Sequence, residues 1–142
     1  MDTHASARRW QVVAILVARL IFGGFFAMAA IFKFADINAT AGYIASVGFP
    51  VPLLLAWLAA FFELALALCL LTGAFFTEAS LLAAAYVLFL AVAFHGPARW
   101  ESDRSEFRFF LLHFTMIAGL LCAALHGPGT TLAIRRSLIG RA

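Results

Sequence analysis

Charge is what this sequence has least of. Asp, Glu, Lys and Arg make up 12% of its 142 residues, against about 25% in a soluble domain. That shortage marks an integral membrane protein before any motif is read. Cysteine is scarce too. Cys69 and Cys122 lie far apart inside apolar segments and fit neither a C-x-x-C pair nor a zinc pattern, so both read as small core residues. A glycine-rich phosphate loop, a nucleophile elbow, a haem-attachment motif and a basic nucleic-acid patch are all missing. Nucleotide and nucleic-acid partners fall away with them. No internal repeat has a convincing period. The first apolar run is too long for a signal-peptide core and lacks an A-x-A-like site, so it reads as a retained helix.

What the chain does have is apolar length. Hydrophobic residues make up 65% of it, with a mean hydropathy of +1.00. Apolar runs predict membrane helices at about 10–34, 53–72, 77–95 and 107–125, each near the ~20 residues that a span requires. The fold class is therefore all-α: a single membrane domain, 1–142, built as an up-down bundle of four transmembrane helices with a tail at 130–142. Between the first two helices lies a long loop, Ala35 to Pro52. Its middle, Ile37 to Val47, predicts a short interfacial helix or re-entrant segment, after which Pro50 and Pro52 redirect the chain. Thr77 or a neighbour caps the third helix, with Glu78 in its first turn.

The net charge of +3 comes from arginines near the chain ends. The tails hold Arg8, Arg9, Arg135, Arg136 and Arg141, whereas the turn after the second helix has no basic residue. The loop after the third helix competes with Arg99, Arg104 and Arg108. The excess on the tails predicts that both termini are cytoplasmic.

Against this background Glu63 stands out, the one ionisable residue in the second helix and at its middle. An acidic residue at a membrane helix centre costs roughly 2.5–3.5 kcal/mol, so it needs a partner, a proton or a ligand. Arg19 lies nine residues past Trp10, or ~13 Å deep, and Glu63 ten past Leu53, or ~15 Å from the other face. On that estimate the two meet near the midplane and form an intramembrane ion pair. Lys33, His95 and His113 sit higher, toward the outer face, and with Tyr43 of the loop they form a candidate quinone or ligand pocket. Each has a plainer reading. Arg19 and Glu63 suit a structural clamp, Lys33 snorkelling to the headgroups, and His95 a helix-end cap. His113 lies inside a helix and is harder to explain that way. Convergence of basic and hydrogen-bonding groups from three helices favours a pocket. There a histidine serves a quinone carbonyl, and Glu63 or a histidine passes the proton. A haem or metal site is weaker, because no carboxylate or thiolate accompanies the histidines in sequence.

Several of these residues resemble the DoxX/DoxD family of small four-helix membrane proteins. The likeness rests on Arg19 with Gly23-Gly24 and Lys33, on Gly42-Tyr43-Ile44-Ala45-Ser46-Val47-Gly48-Phe49-Pro50, and on Glu63 followed by Leu71-Thr72-Gly73. His95 and Gly127-Pro128-Gly129 complete it, so it spans roughly Ala18 to Gly129. The chain departs at His113, where family members often carry asparagine, and at Thr131-Leu132-Ala133, where Ser-Leu-Asp is common. The resemblance implies a bacterial inner-membrane protein linked to redox work, since one branch is a subunit of a thiosulfate:quinone oxidoreductase. The resulting expectation is a membrane subunit of a redox hetero-complex, with a quinone or quinol pocket near the outer face. Its rival is a non-catalytic anchor or assembly factor for a partner enzyme. A small-solute transporter is a weaker third, since no broken helices occupy corresponding halves.

Overall fold

Backbone groups in a bilayer have no water to bond, so each apolar run must satisfy its own amides as a helix. The protein, seen as a computed structural model that describes residues 3–101, 103–134 and 136–139, follows that rule. Its elements are α1 (Thr3–Ala35), α2 (Ile37–Ser46), α3 (Pro52–Thr72), α4 (Phe76–His95) and α5 (Arg104–His126). All but α2 are long and apolar enough to cross a membrane. The result is an all-α membrane bundle, and α2 is the short extra helix expected between the first two spans. In the tail, Arg135 and Arg141 lie outside the described residues, as does the side chain of Arg8.

The bundle is zipped by small residues, because lipid leaves little hydrophobic drive between helices and close packing must take its place. α1 packs chiefly on α3, and α4 on α5. Gly23 of α1 lies so close to α3 that a Cβ there would stand 2.6 Å from the Leu71 side chain. On α3, Ala56, Ala60 and Ala67 are buried on the same stripe as Glu63, and α4 buries Ala79, Ala83 and Ala91. Of the cysteines, Cys69 is half-buried at the core edge, but Cys122 is exposed on the lipid side of α5, where the expected core placement fails.

α1 begins seven residues before the expected Trp10. At 33 residues it is about 50 Å long, well beyond a hydrocarbon core of about 30 Å, so its first turns project past the bundle. α2 starts at Asp36, whose side chain accepts from Ala39 N at 2.9 Å. The predicted Thr77 cap on α4 is not made: Thr77 Oγ1 donates to Ala124 O on α5 at 3.4 Å. Instead Phe75 N donates to Arg136 O in the tail at 2.7 Å, and Glu78 takes the hydroxyl of Ser137 and the amide of Ile139. Beyond α4, a 3-10 turn at Pro97–Arg99 leads to Asp103, whose side chain caps α5 through Ser105 N at 2.7 Å. Hydrogen bonds from the Ser105 hydroxyl first, and from its amide second, hold the Asp103 carboxyl below its ordinary range.

Candidate functional site

Arg19 and Glu63 do not pair. Because α1 extends beyond the bundle, Arg19 comes level with the end of α3 rather than its middle. There it is fully buried and donates to four carbonyls. Nη1 reaches Pro128 O at 2.9 Å and Thr131 O at 3.0 Å, while Nη2 reaches Leu71 O at 2.9 Å and Leu132 O at 2.7 Å. Leu71 lies in the last turn of α3, whose carbonyls have no intrahelical donor. Arg19 therefore closes a helix end and straps the tail beneath it. The planar guanidinium, with five donors, suits this work better than an ammonium.

Glu63 is answered by two other residues. Lys33 Nζ donates to Oε2 at 2.7 Å, and the Tyr86 hydroxyl donates to Oε1 at 2.8 Å. Lys33 does not snorkel outward; it turns inward to α3. Both carboxylate oxygens are thus bonded, which is what a charge removed from water requires. Tyr86 was not legible as a partner in sequence. One signal was available: it is the only tyrosine within the four spans, and an intramembrane phenol wants an acceptor.

Above this triad opens a cavity of about 530 Å³, and Lys33, Tyr43, His95 and His113 all line it, with Tyr86 beside them. Four predicted pocket residues, from four different helices, thus share one space. The walls are apolar, among them Phe49, Phe62, Phe89 and Leu58. Several of the phenylalanines therefore surround a cavity rather than only lipid or core. Tyr43 stacks on Phe94 with ring centroids 5.3 Å apart, and Phe49 stacks on the same ring at 5.8 Å. Burial first, and the Glu106 carboxylate second, push the Tyr43 phenol above its ordinary pKa, with Arg99 acting the other way. Tyr43 is thus kept as a hydroxyl donor.

The histidines face each other at a ring separation of 4.9 Å. One nitrogen of His95 pairs with the Glu106 carboxylate, so His95 is more than a helix cap. The Trp100 indole N–H also donates to the His95 carbonyl at 2.9 Å, fixing the loop over it. His113 Nδ1 donates to Phe109 O at 2.6 Å within its own helix. The Phe109 carbonyl only accepts, so Nδ1 of His113 carries the proton, and a Glu106 carboxylate likewise takes its hydrogen bond from Nδ1 of His95. The other nitrogen of the neutral ring is an acceptor. Glu106 was also missed in sequence, where it belonged to a mixed-charge loop. Among the described residues, no three His, Cys, Asp or Glu side chains gather as a metal cluster.

The DoxX family model matches residues 14–96, more than half of the chain. The chain belongs to the DoxX family. No curated protein and no solved structure matches it. Within the DoxX-matched residues lie the Arg19 clasp, Lys33, Tyr43, Glu63, Tyr86 and His95. His113, Glu106 and the strapped tail lie beyond them. In this DoxX chain the cavity is thus completed by α5, outside the matched part.

Proposed function

We propose that the protein is the membrane subunit of a bacterial inner-membrane redox complex and that its cavity holds the head of a quinone or quinol. Both termini are cytoplasmic in this reading, so the cavity lies near the outer face. The observation that carries it is the meeting of Lys33, Tyr43, His95 and His113 in one apolar space of about 530 Å³. Ligand sites are commonly apolar hollows with a few placed polar groups, and this volume falls within their usual range.

The hydrogen-bond inventory supports both redox forms. Tyr43 and the Lys33 ammonium offer donors to a quinone carbonyl, while a histidine ring in its neutral form has an acceptor nitrogen for a quinol hydroxyl. Glu106 behind His95 orients that ring and stabilises the imidazolium that forms if the hydroxyl proton is taken, as carboxylates do behind catalytic histidines. Replacing both histidines with leucine should weaken quinol binding to the purified protein by about tenfold or more. Leucine suits a membrane helix, so helix content and chromatographic behaviour should be unchanged. Undiminished binding in that double variant overturns the proposal.

A second reading, a non-catalytic anchor or assembly factor for a partner enzyme, has one observation in its favour. Glu63, Lys33, His95 and His113 all have partners inside the chain without any ligand. If the wild-type protein retains no quinone or quinol, this reading takes the place of the first.

A further inference from the structure

At its water end the cavity is roofed by α2, and toward lipid two of its wall residues are exposed. Over its water end lies α2, where Ala41 and Ile44 form a buried cluster with Phe94 of α4 and Ala56 of α3. Tyr43 and Phe49 stack on that same Phe94, closing the seam between α2, the following loop and α4. On the membrane side the wall is incomplete. Leu58 of α3 and Phe89 of α4 both line the cavity, yet remain 56% and 51% exposed. Each sits about one turn nearer α2 than the Phe62–Tyr86 contact between the two helices, where the ring centroids lie 5.1 Å apart. Both lie within membrane spans, so what they are exposed to is lipid.

Resting on the quinone or quinol reading, we propose that the ligand passes sideways from the bilayer between α3 and α4, through a portal edged by Leu58 and Phe89. Its class follows from the route. It is a membrane-dissolved quinone or quinol whose long isoprenoid tail stays in the portal and the lipid beyond, while its head reaches the histidines. A water-soluble head group alone would have to cross the α2 cover.

The test compares two ligands with the same head, one with a long isoprenoid tail and one without, on protein reconstituted in lipid nanodiscs. Leu58→Trp narrows the portal at a lipid-facing position that accepts tryptophan. It should slow association of the tailed ligand by about tenfold and that of the tail-less one several times less. Leu54→Trp, equally lipid-facing on α3 but away from the cavity, should change neither. Phe89→Ala widens the portal and should speed release of the tailed ligand severalfold more than that of the tail-less one, which keeps the test decisive if Leu58→Trp folds poorly. Equal effects on both ligands, or no effect in either portal variant, overturn lateral passage while leaving quinone binding intact. If wild-type protein binds neither ligand, the quinone reading fails and the portal with it.

Discussion

Glu63 has a bonded partner at each carboxylate oxygen, and its energetics follow from that. Removing one partner of a buried pair typically costs about 3–5 kcal/mol, because the other charge is stranded, whereas replacing both by apolar groups is often nearly neutral. Glu63→Ala should therefore sharply lower the yield of folded protein by leaving Lys33 unpaired. Lys33→Met combined with Glu63→Leu should recover much of that loss. Arg19→Met combined with Glu63→Leu should instead show additive losses, since the two residues share no contact. Detergent unfolding of the single and double variants measures both cycles, and coupling in the second would contradict the observed geometry. In sequence, the need of Glu63 for a partner was plain from its depth, but the identity of the partner was not. Arg19 and Lys33 both lie on helix 1, and a small error in where that helix enters the membrane exchanges them.

Between elements, α1 meets α3 through close glycine and alanine contacts, with the Lys33–Glu63 pair and the Arg19–Leu71 bond crossing the same seam. Gly23 and Gly24 are neighbours in sequence with opposite surroundings. A Cβ on Gly23 would stand 2.6 Å from two Leu71 side-chain atoms and 3.2 Å from the Leu71 amide nitrogen, while one on Gly24 would meet nothing within 4 Å. Overpacking a close contact costs about 1–3 kcal/mol. Gly23→Val should thus lower the thermal midpoint in detergent and also disturb the Lys33–Glu63 pair that depends on this register. Gly24→Ala should be neutral or raise the midpoint slightly, since alanine exceeds glycine in helix propensity by up to about 1 kcal/mol. If the two substitutions behave alike, close α1–α3 packing is not what holds the register. The small-residue stripe beginning at Gly23 was readable in sequence. Which helix it would meet, and at what height, was not.

For the molecule as a whole, the two ends of the bundle do different work. One end carries α2, the cavity and the loop through Trp100; the other carries the α3–α4 turn and the tail clasped by Arg19 and Glu78. Cysteine substitution with a membrane-impermeant maleimide gives the orientation, in protein whose two native cysteines are first replaced by alanine. Glu101→Cys, on the cavity end, should label in intact cells, and Thr130→Cys, on the tail, only after permeabilisation. The reverse pattern would put both termini outside and the cavity at the cytoplasmic face.

Four spans, a short helix between the first two and a tail are local properties, determined by sequence alone. A bilayer obliges each apolar run of sufficient length to bond its own backbone, so length and hydropathy suffice. The strapping of the tail was not readable, because Arg19 bonds carbonyls more than a hundred positions away, and any residue type supplies a carbonyl. The pocket was partly readable. Lys33, Tyr43, His95 and His113 were each conspicuous as polar groups in or beside apolar helices, and their depths suggested one end of the bundle. Tertiary structure alone decided that α2 folds over that end, that Tyr86 and Glu106 join the set, and that Lys33 rather than Arg19 meets Glu63. The physical reason is one of range. Burying a helix in lipid depends on its own residues, whereas the meeting of side chains depends on the packing of small residues between helices, which sets rotation and height to within a turn.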